Sequence, residues 1–341
     1  MNWDGGFSAL YELKKVDPVS WRDAGSFDLT GGSVSRSEDD LQESAVIQMT
    51  ENPRECWLRV YLKARQNASG ARVPIFTGLA ATPRRDLDGQ RESFEVTCYS
   101  VLKPADDVLA PRGYYVPAGA DGAKAAAQLL QVGPAPVMYQ EGGPRLLEPI
   151  IAEEFDSNLS VAQRIVESIG WRIRIIGDGS VSIEPLATDA AITLDTMDHD
   201  SVELTITDTQ DWYSCPNCYR VASGNVAAVA RDDDPNSPLS TVSRQRVRGG
   251  TGEIWAAESS AALSDGESLA EYAIRKLREA QAPARTISYT RRFRPDVTVG
   301  DLAQLHLPAQ KIDGLFRISR QTIELGLGAR TQEEVTSYER T

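Results

Sequence analysis

The chain has 341 residues, 41% of them hydrophobic and 25% charged, and a formal net charge of −13 at pH 7. That length exceeds what one core usually supports, so two or more domains are expected, and the composition excludes wholesale disorder. The surplus of 49 Asp and Glu over 36 Lys and Arg disfavours tight nucleic-acid binding, which depends on neutralising phosphates.

The opening MNWDGGFSALYELKK carries no basic stretch followed by an apolar core, and no apolar run approaches the roughly 18 to 20 residues of a membrane span, so neither signal peptide nor membrane anchor is expected. Cys56, Cys98, Cys215 and Cys218 are too sparse for a disulfide scaffold and read as reduced thiols of a protein made in the cytosol.

Residues 1–113 read as all-β. Cys56, Leu58, Val60 and Leu62 alternate with Trp57, Arg59 and Tyr61, which predicts a strand covered on both faces. Further strands are expected at Phe27–Leu29, Ala45–Met49, Val73–Leu79 and Phe94–Cys98. Turns are expected at Thr30-Gly31-Gly32, Glu51-Asn52-Pro53, Asn67–Gly70 and Asp86–Gly89.

From 114 to 200 the pattern is mixed α/β. Asp121 is placed to cap a helix over Gly122–Gln131, and Asn158 or Ser160 to start another whose stripe is Val161, Ile165 and Ile169, ended by Gly170. Trp171–Ile176, the Gly177-Asp178-Gly179 turn and Ser180–Pro185 spell a hairpin.

Val202, Leu204 and Ile206 begin the next strand, with Tyr219–Val221 and Val226–Val229 expected to pair nearby. Arg231–Ser240 reads as a polar linker. Ser264 and Glu267 have capping-box spacing ahead of a helical stripe of Leu269, Tyr272, Ala273, Lys276 and Leu277, with Pro283 as the stop. Arg285–Gly328 reads as strands: Ile287, Tyr289 and Phe293 on one parity, a break before Val297 and Val299, a reversal at Gly300-Asp301, then Ala303, Leu305 and Leu307. After a turn signal at Asp313-Gly314, Phe316 and Ile318 lie on one parity and Ile323, Leu325 and Leu327 on the other, which implies a bulge.

The approach Arg292-Phe293-Arg294-Pro295, the Val299-Gly300-Asp301 turn and the run Gly314 to Leu325 resemble the C-terminal barrel of phage tail baseplate hub proteins of the XkdQ/YqbQ-like and late-control-protein-D-like kind. The stretch Ile75–Asp107, with its Phe76-Thr77-Gly78 step and Cys98-Tyr99-Ser100 ending, is similar to the first tube-like domain of the same family. The resemblance implies a β-rich α+β multidomain protein: two tube-like β-barrel domains with an intervening α/β domain and a helix-containing insertion. The expected division is 1–113 for the first barrel, 114–200 for the small α/β domain, 201–230 with 285–328 for the second barrel, and 231–284 for the insertion.

It further implies a non-enzymatic homotrimer in the virion, made in host bacterial cytoplasm, that adapts a sixfold tail tube to a threefold spike. Its implied partners are the central spike, the tail tube or distal tail protein, the tape measure protein and other baseplate proteins, with DNA passing through without specific binding. Passage of DNA through such a hub implies a neutral or acidic lumen, which three chains of −13, −39 together, allow, with Arg291, Arg292 and Arg317 turned to subunit or partner contacts.

Cys215-Pro216-Asn217-Cys218 is the one spacing that invites chemistry, yet it precedes a strand rather than opening a helix and lacks two further zinc ligands. It reads as loop cysteines, with metal binding or redox catalysis as the alternatives. His199 sits in an acidic loop, His306 on a strand surface, and Glu153, Glu154 and Asp156 only mimic paired glycosidase carboxylates. The Arg291-Arg292-Arg294 cluster around Phe293 is expected to pair with carboxylates across a subunit boundary. No catalytic, cofactor or metal residue is therefore assigned. A redox or peptidoglycan-cleaving enzyme, and a distal-tail or carbohydrate-binding adhesin, stand as competing readings.

Overall fold

The computed structural model describes the chain apart from residues 4, 39–40, 42, 90, 196–201, 214, 224–225, 260–262, 264–266, 283–284, 327, 329 and 339–341. The N-terminal half of its main sheet contains β1 (Ser8–Val16), β2 (Asp23–Phe27), β3 (Leu29–Ser37), β4 (Glu43–Met49), β5 (Cys56–Gln66), β6 (Ser69–Asp88) and β7 (Arg91–Ser100), in the spatial order β2-β1-β5-β6-β7-β4-β3. Ala45, Ile47 and Met49 point inward by alternation and meet Leu58, Val60, Leu62, Phe76 and Val96. Each fully buried side chain of this size contributes about 1.5–3 kcal/mol. As the two-sided apolar pattern of β5 predicts, Trp57 through Leu62 are all buried. The Thr30-Gly31-Gly32 stretch differs from expectation: it lies inside β3, where a Cβ on Gly32 would fall 2.2 Å from the Val46 carbonyl oxygen. Those glycines serve close strand approach, not reversal.

After the short helix α1 (Lys103–Asp107), a mixed unit holds β8 (Tyr115–Val116), α2 (Gly122–Leu130), β9 (Val137–Tyr139), β10 (Ile150–Ile151), α3 (Asn158–Ser168), β11 (Trp171–Ile175) and β12 (Val181–Pro185). Asp121 caps α2 by accepting from the Lys124 N–H at 3.0 Å. For α3 the cap is Ser157, accepting from Ser160 at 3.1 Å. Val161 and Ile165 are fully buried between α2 and the β11–β12 hairpin, and their core also takes in Val16, Trp57, Val101 and Leu102. The unit is thus packed onto the first sheet half.

The remainder comprises β13 (Ala190–Asp195), β14 (Val202–Gln210), β15 (Cys218–Ser223), β16 (Val226–Arg231), α4 (Thr241–Arg248), β17 (Trp255–Glu258), α5 (Leu269–Gln281), β18 (Arg285–Arg292), β19 (Leu302–Leu307), β20 (Ile312–Glu324) and β21 (Arg330–Ser337). β14, β18, β21 and β20 continue the main sheet, and β19 joins β20 to β13, which pairs with β19 in parallel. The switch of apolar parity in β20 is a register shift between Ile318 and Arg320. Asp313 and Gly314 lie inside β20, while the reversal is a 3-10 turn at Pro308–Gln310 closed by Lys311 with φ +57°.

Strands β15 and β16 differ from their expected place beside β14. They form a separate three-stranded sheet with β17, covered by α5 through Val221, Ala230, Tyr272, Ala273 and Leu277. The α5 capping box is Ser268 with Glu271, four residues later than expected; Ser264 and Pro283 lie outside the described residues. Helix α4, capped by Ser240, follows the polar stretch directly.

The fold is β-rich and multidomain, but among the described residues neither half closes into a barrel. β3 pairs with β4 on one side and β20 on the other, so the two halves run together as one 13-stranded sheet with β2 and β14 at the ends of its main path.

Candidate functional site

Where the two sheet halves join, the structure places a buried polar ladder. Glu43, Arg36, Gln321, Glu333 and Tyr289 are directly opposed on the five adjacent strands β4, β3, β20, β21 and β18. Arg36 Nε donates to Glu43 at 2.8 Å and its Nη1 to Gln321 Oε1 at 2.8 Å. Gln321 Nε2 donates onward to Glu333 at 2.7 Å. Glu333 also accepts from the Tyr289 hydroxyl at 2.9 Å and from Arg291 Nε at 2.7 Å. Burial raises the Glu43 carboxyl, opposed by Arg36, and burial followed by the Glu333 charge raises the Tyr289 hydroxyl well above its usual range.

This ladder corrects the expectation for the arginine cluster. Arg291 is 2% exposed and pairs inside its own chain. Arg294 pairs with Asp296 at 2.7 Å, Arg317 with Glu38 at 3.3 Å, and Arg292 is half-buried. A charge cluster in sequence does not reveal that strand register places Glu333 opposite Tyr289, diagonally across from Arg291 and within its reach.

The CPNC segment is a structural corner. Asn217 is fully buried; its side chain donates to the carbonyls of Leu239 and Gly252 and accepts from the Ile254 N–H at 2.7 Å, locking β15 to β17. Arg244 of α4 donates to the Cys215 carbonyl at 2.8 Å. Burial raises both thiols, outweighing Arg244 beside Cys215 and Arg231 beside Cys218, and burial pushes Cys98 up to about 12. Because a raised pKa lowers the thiolate fraction at pH 8, Cys98, Cys215 and Cys218 are expected to react with Ellman's reagent well below the rate of free cysteine until denaturant exposes them. A fast-reacting Cys215 in the folded protein would contradict this assignment.

Among the described residues no three His, Cys, Asp or Glu side chains are grouped to hold a metal. His199 lies outside the described residues; His306 is an exposed cross-strand partner of Asp313. Asp156 binds Arg164 and accepts from the Glu153 N–H at 2.7 Å, while the Glu153 side chain is 83% exposed, so these carboxylates cap a turn.

Two surface features stand apart from these clusters. Thr82–Asp88 of β6 extends past β5, and Arg91–Ser93 of β7 past β4, leaving a projecting two-stranded arm with Leu87 exposed near its tip. Isolated two-stranded ribbons are marginal in water. On the mixed unit, Tyr115 and Ile151 are opposed across β8 and β10, with Leu109 and an 80% exposed Phe155 in the adjoining loops. An exposed apolar patch of this kind marks an interaction surface.

Whole-chain comparison with solved structures decides the fold. A tail protein from Neisseria meningitidis superposes at a TM-score of 0.69 with 15% identity, over 98% of this chain and 97% of that one. The 43 kDa tail protein of prophage MuSo2 from Shewanella oneidensis gives 0.68 with 12% identity, over 96% and 98%. This chain has the fold of phage tail proteins. A chain of the Francisella PdpA–VgrG complex shares the tail-protein fold at 0.55 and 9% identity, over 98% of this chain but 59% of its own length. No protein-family model and no curated protein sequence matches the chain. The likeness is carried by architecture at identities too low for sequence to follow. Within this chain the CPNC corner and the polar ladder hold strands in place.

Proposed function

We propose that the chain is a structural, non-enzymatic baseplate hub of a phage or phage-like tail, residing in the virion after synthesis in the host cytoplasm. The observation that carries this reading is the end-to-end match, near 97% of both chains, to a solved tail protein. A module borrowed by an enzyme would match over part of its length only. The two halves of the main sheet, with their own cores around Ile47 and around Ile318, suit a subunit that offers two similar wall segments to a tube. Three chains then present six such segments, adapting a sixfold tube to a threefold spike around a DNA channel. The projecting β6–β7 arm and the apolar face at Phe155 are the surfaces offered to spike, tube, tape measure or baseplate partners.

The proposed division follows sheet membership: 1–113 for the first wall segment, 114–189 for the mixed unit, 190–210 with 285–337 for the second, and 211–284 for the insertion. Native mass spectrometry tests the assembly. A trimer is expected, either alone or on addition of a spike protein, and a stable dimer or hexamer with no trimer in either condition overturns the hub.

A further inference from the structure

The β11–β12 hairpin of the mixed unit stands on both halves of the main sheet at once. Its tip rests on the first half, where Thr77 Oγ1 of β6 donates to the Gly177 carbonyl at 2.9 Å and Arg59 of β5 to the Asp178 carbonyl at 2.7 Å. Its base reaches the second half: Arg172 Nη2 donates to Asp301 Oδ1 at 2.9 Å while also holding Glu184 of β12 at 2.8 Å, and Arg174 lies 3.8 Å from the other Asp301 oxygen. The Arg172 and Asp301 side chains are 12% and 7% exposed. Gly300 makes this approach possible, since with φ +79° a Cβ there would fall 2.8 Å from Arg172 Nη1. The two contacts are also joined through the interior. The Thr298 N–H donates to Asp301 at 3.0 Å, Arg36 of β3 donates to Thr298 Oγ1 at 3.4 Å and to the Ile75 carbonyl, and Ile75 follows Pro74, whose backbone abuts Gly177.

From this closed circuit we infer that the hairpin is a brace that fixes the angle between the two halves, with Arg172 and Asp301 as the positioning residues of its second foot. A brace has something to fix because the main sheet passes from one half to the other through a single strand pair, β3 with β20, over five residue pairs. Neighbouring strands accommodate twists of roughly 10–35°, so one pair leaves the angle between the halves soft. Phe293, Ile323 and Leu325 of the second half reach into the first core, yet apolar burial is non-directional and tolerates a change of angle better than an ion pair does. No packed core takes over at the second foot: an open cleft of about 1080 Å³, lined by Arg172, Arg278 of α5 and Arg320 of β20 among others, runs beside it. A buried ion pair adds little net stability over apolar packing of the same volume, and its use here is to fix which surfaces meet. The inference rests on the hub reading only for what the angle serves, the meeting of two wall segments with one tube. The angle itself is measured within a single chain, so either can fail without the other.

The test is double electron–electron resonance on the full chain, with nitroxide labels at Arg65→Cys on β5 and Asp313→Cys on β20, both exposed positions, and the half-buried Cys56 replaced by serine. Unlabelled chain is added in excess so that only distances within one chain are read. The intact brace is expected to give one narrow distance. Asp301→Asn keeps an acceptor for the Thr298 N–H but loses the charge, and Arg172→Met keeps the bulk. Each is expected to widen the distribution about twofold or more, as hinge motion between the halves is released. Arg172→Lys, which keeps the charge, widens it less than Arg172→Met, which separates loss of the ion pair from misfolding. Arg164→Met, whose partners Glu153 and Asp156 lie within the mixed unit, leaves it unchanged. Unchanged width in Asp301→Asn and Arg172→Met, or a widening that Arg164→Met produces equally or that Arg172→Lys does not lessen, overturns the proposal.

Discussion

Replacing Arg291 by alanine is expected to lower the stability of the protein by about 3–5 kcal/mol, the cost of leaving a buried carboxylate without its cation. The Arg291 and Glu333 side chains are 1% and 0% exposed, so solvent cannot take over the role of either. The loss spreads along the ladder, because Glu333 also holds Tyr289 and Gln321, and Gln321 holds Arg36 across the β3–β20 junction. Urea unfolding followed by far-ultraviolet circular dichroism reads the effect as a shifted midpoint. Arg291→Met combined with Glu333→Leu is expected to recover part of the loss, since removing both charges avoids the unpaired carboxylate. The ladder does not hold the junction if Arg291→Ala costs less than about 1 kcal/mol.

That ladder was not legible in the sequence, and the reason is register. Glu43, Arg36, Gln321, Glu333 and Tyr289 are scattered over almost 300 positions; the four polar ones read as ordinary surface residues, and Tyr289 as one more apolar position beside Ile287. Only strand pairing makes them neighbours. β21 was overlooked for a related reason: RTQEEVTS has Val335 as its one hydrophobic residue and no aromatic, so no apolar alternation announces a strand, and its inward positions are held by Thr331, Glu333 and Val335. Local signals, by contrast, came through. Asp121 caps α2, Gly170 ends α3 with φ +67°, and the parity change in β20 is a real register shift. Each depends on neighbours within a few residues. Misplacing β15 and β16 beside β14 came from reading sequence proximity as pairing, where the partner is β17, a further two dozen residues along. The acidic total likewise says nothing of distribution: a −13 chain gives no hint that Arg278 and Arg320 line one cleft.

Gly177→Val is expected to undock the mixed unit from the first sheet half while leaving the secondary structure of both in place. The Gly177-Asp178-Gly179 turn closes the β11–β12 hairpin, which any turn-forming sequence could do, but it also plugs into the surface of β5 and β6. A Cβ on Gly177 would fall 2.1 Å from the Pro74 carbonyl oxygen and 2.9 Å from the Ile75 Cα, backbone atoms that cannot swing aside. Around the plug, Thr77 Oγ1 donates to the Gly177 carbonyl at 2.9 Å, and Arg59 and the Trp21 indole donate to the Asp178 carbonyl at 2.7 and 3.1 Å. Valine breaks this set together, because the turn must lift by more than an ångström before any of the bonds can form. Trp21 and Trp57, whose rings lie 5.3 Å apart beneath the plug, report the change as a shift in fluorescence. Limited proteolysis is expected to speed up between the units, on either side of 114–189. Gly170→Ala is the control: it too demands a left-handed conformation, φ +67°, but its Cβ would meet nothing within 4 Å. Its cost is conformational alone, about 1 kcal/mol, with proteolysis unchanged. If Gly177→Val left both the tryptophan emission and the cleavage pattern as they are, the turn would be a plain hairpin loop and the docking would rest on the apolar contacts of Trp57 and Val101 instead.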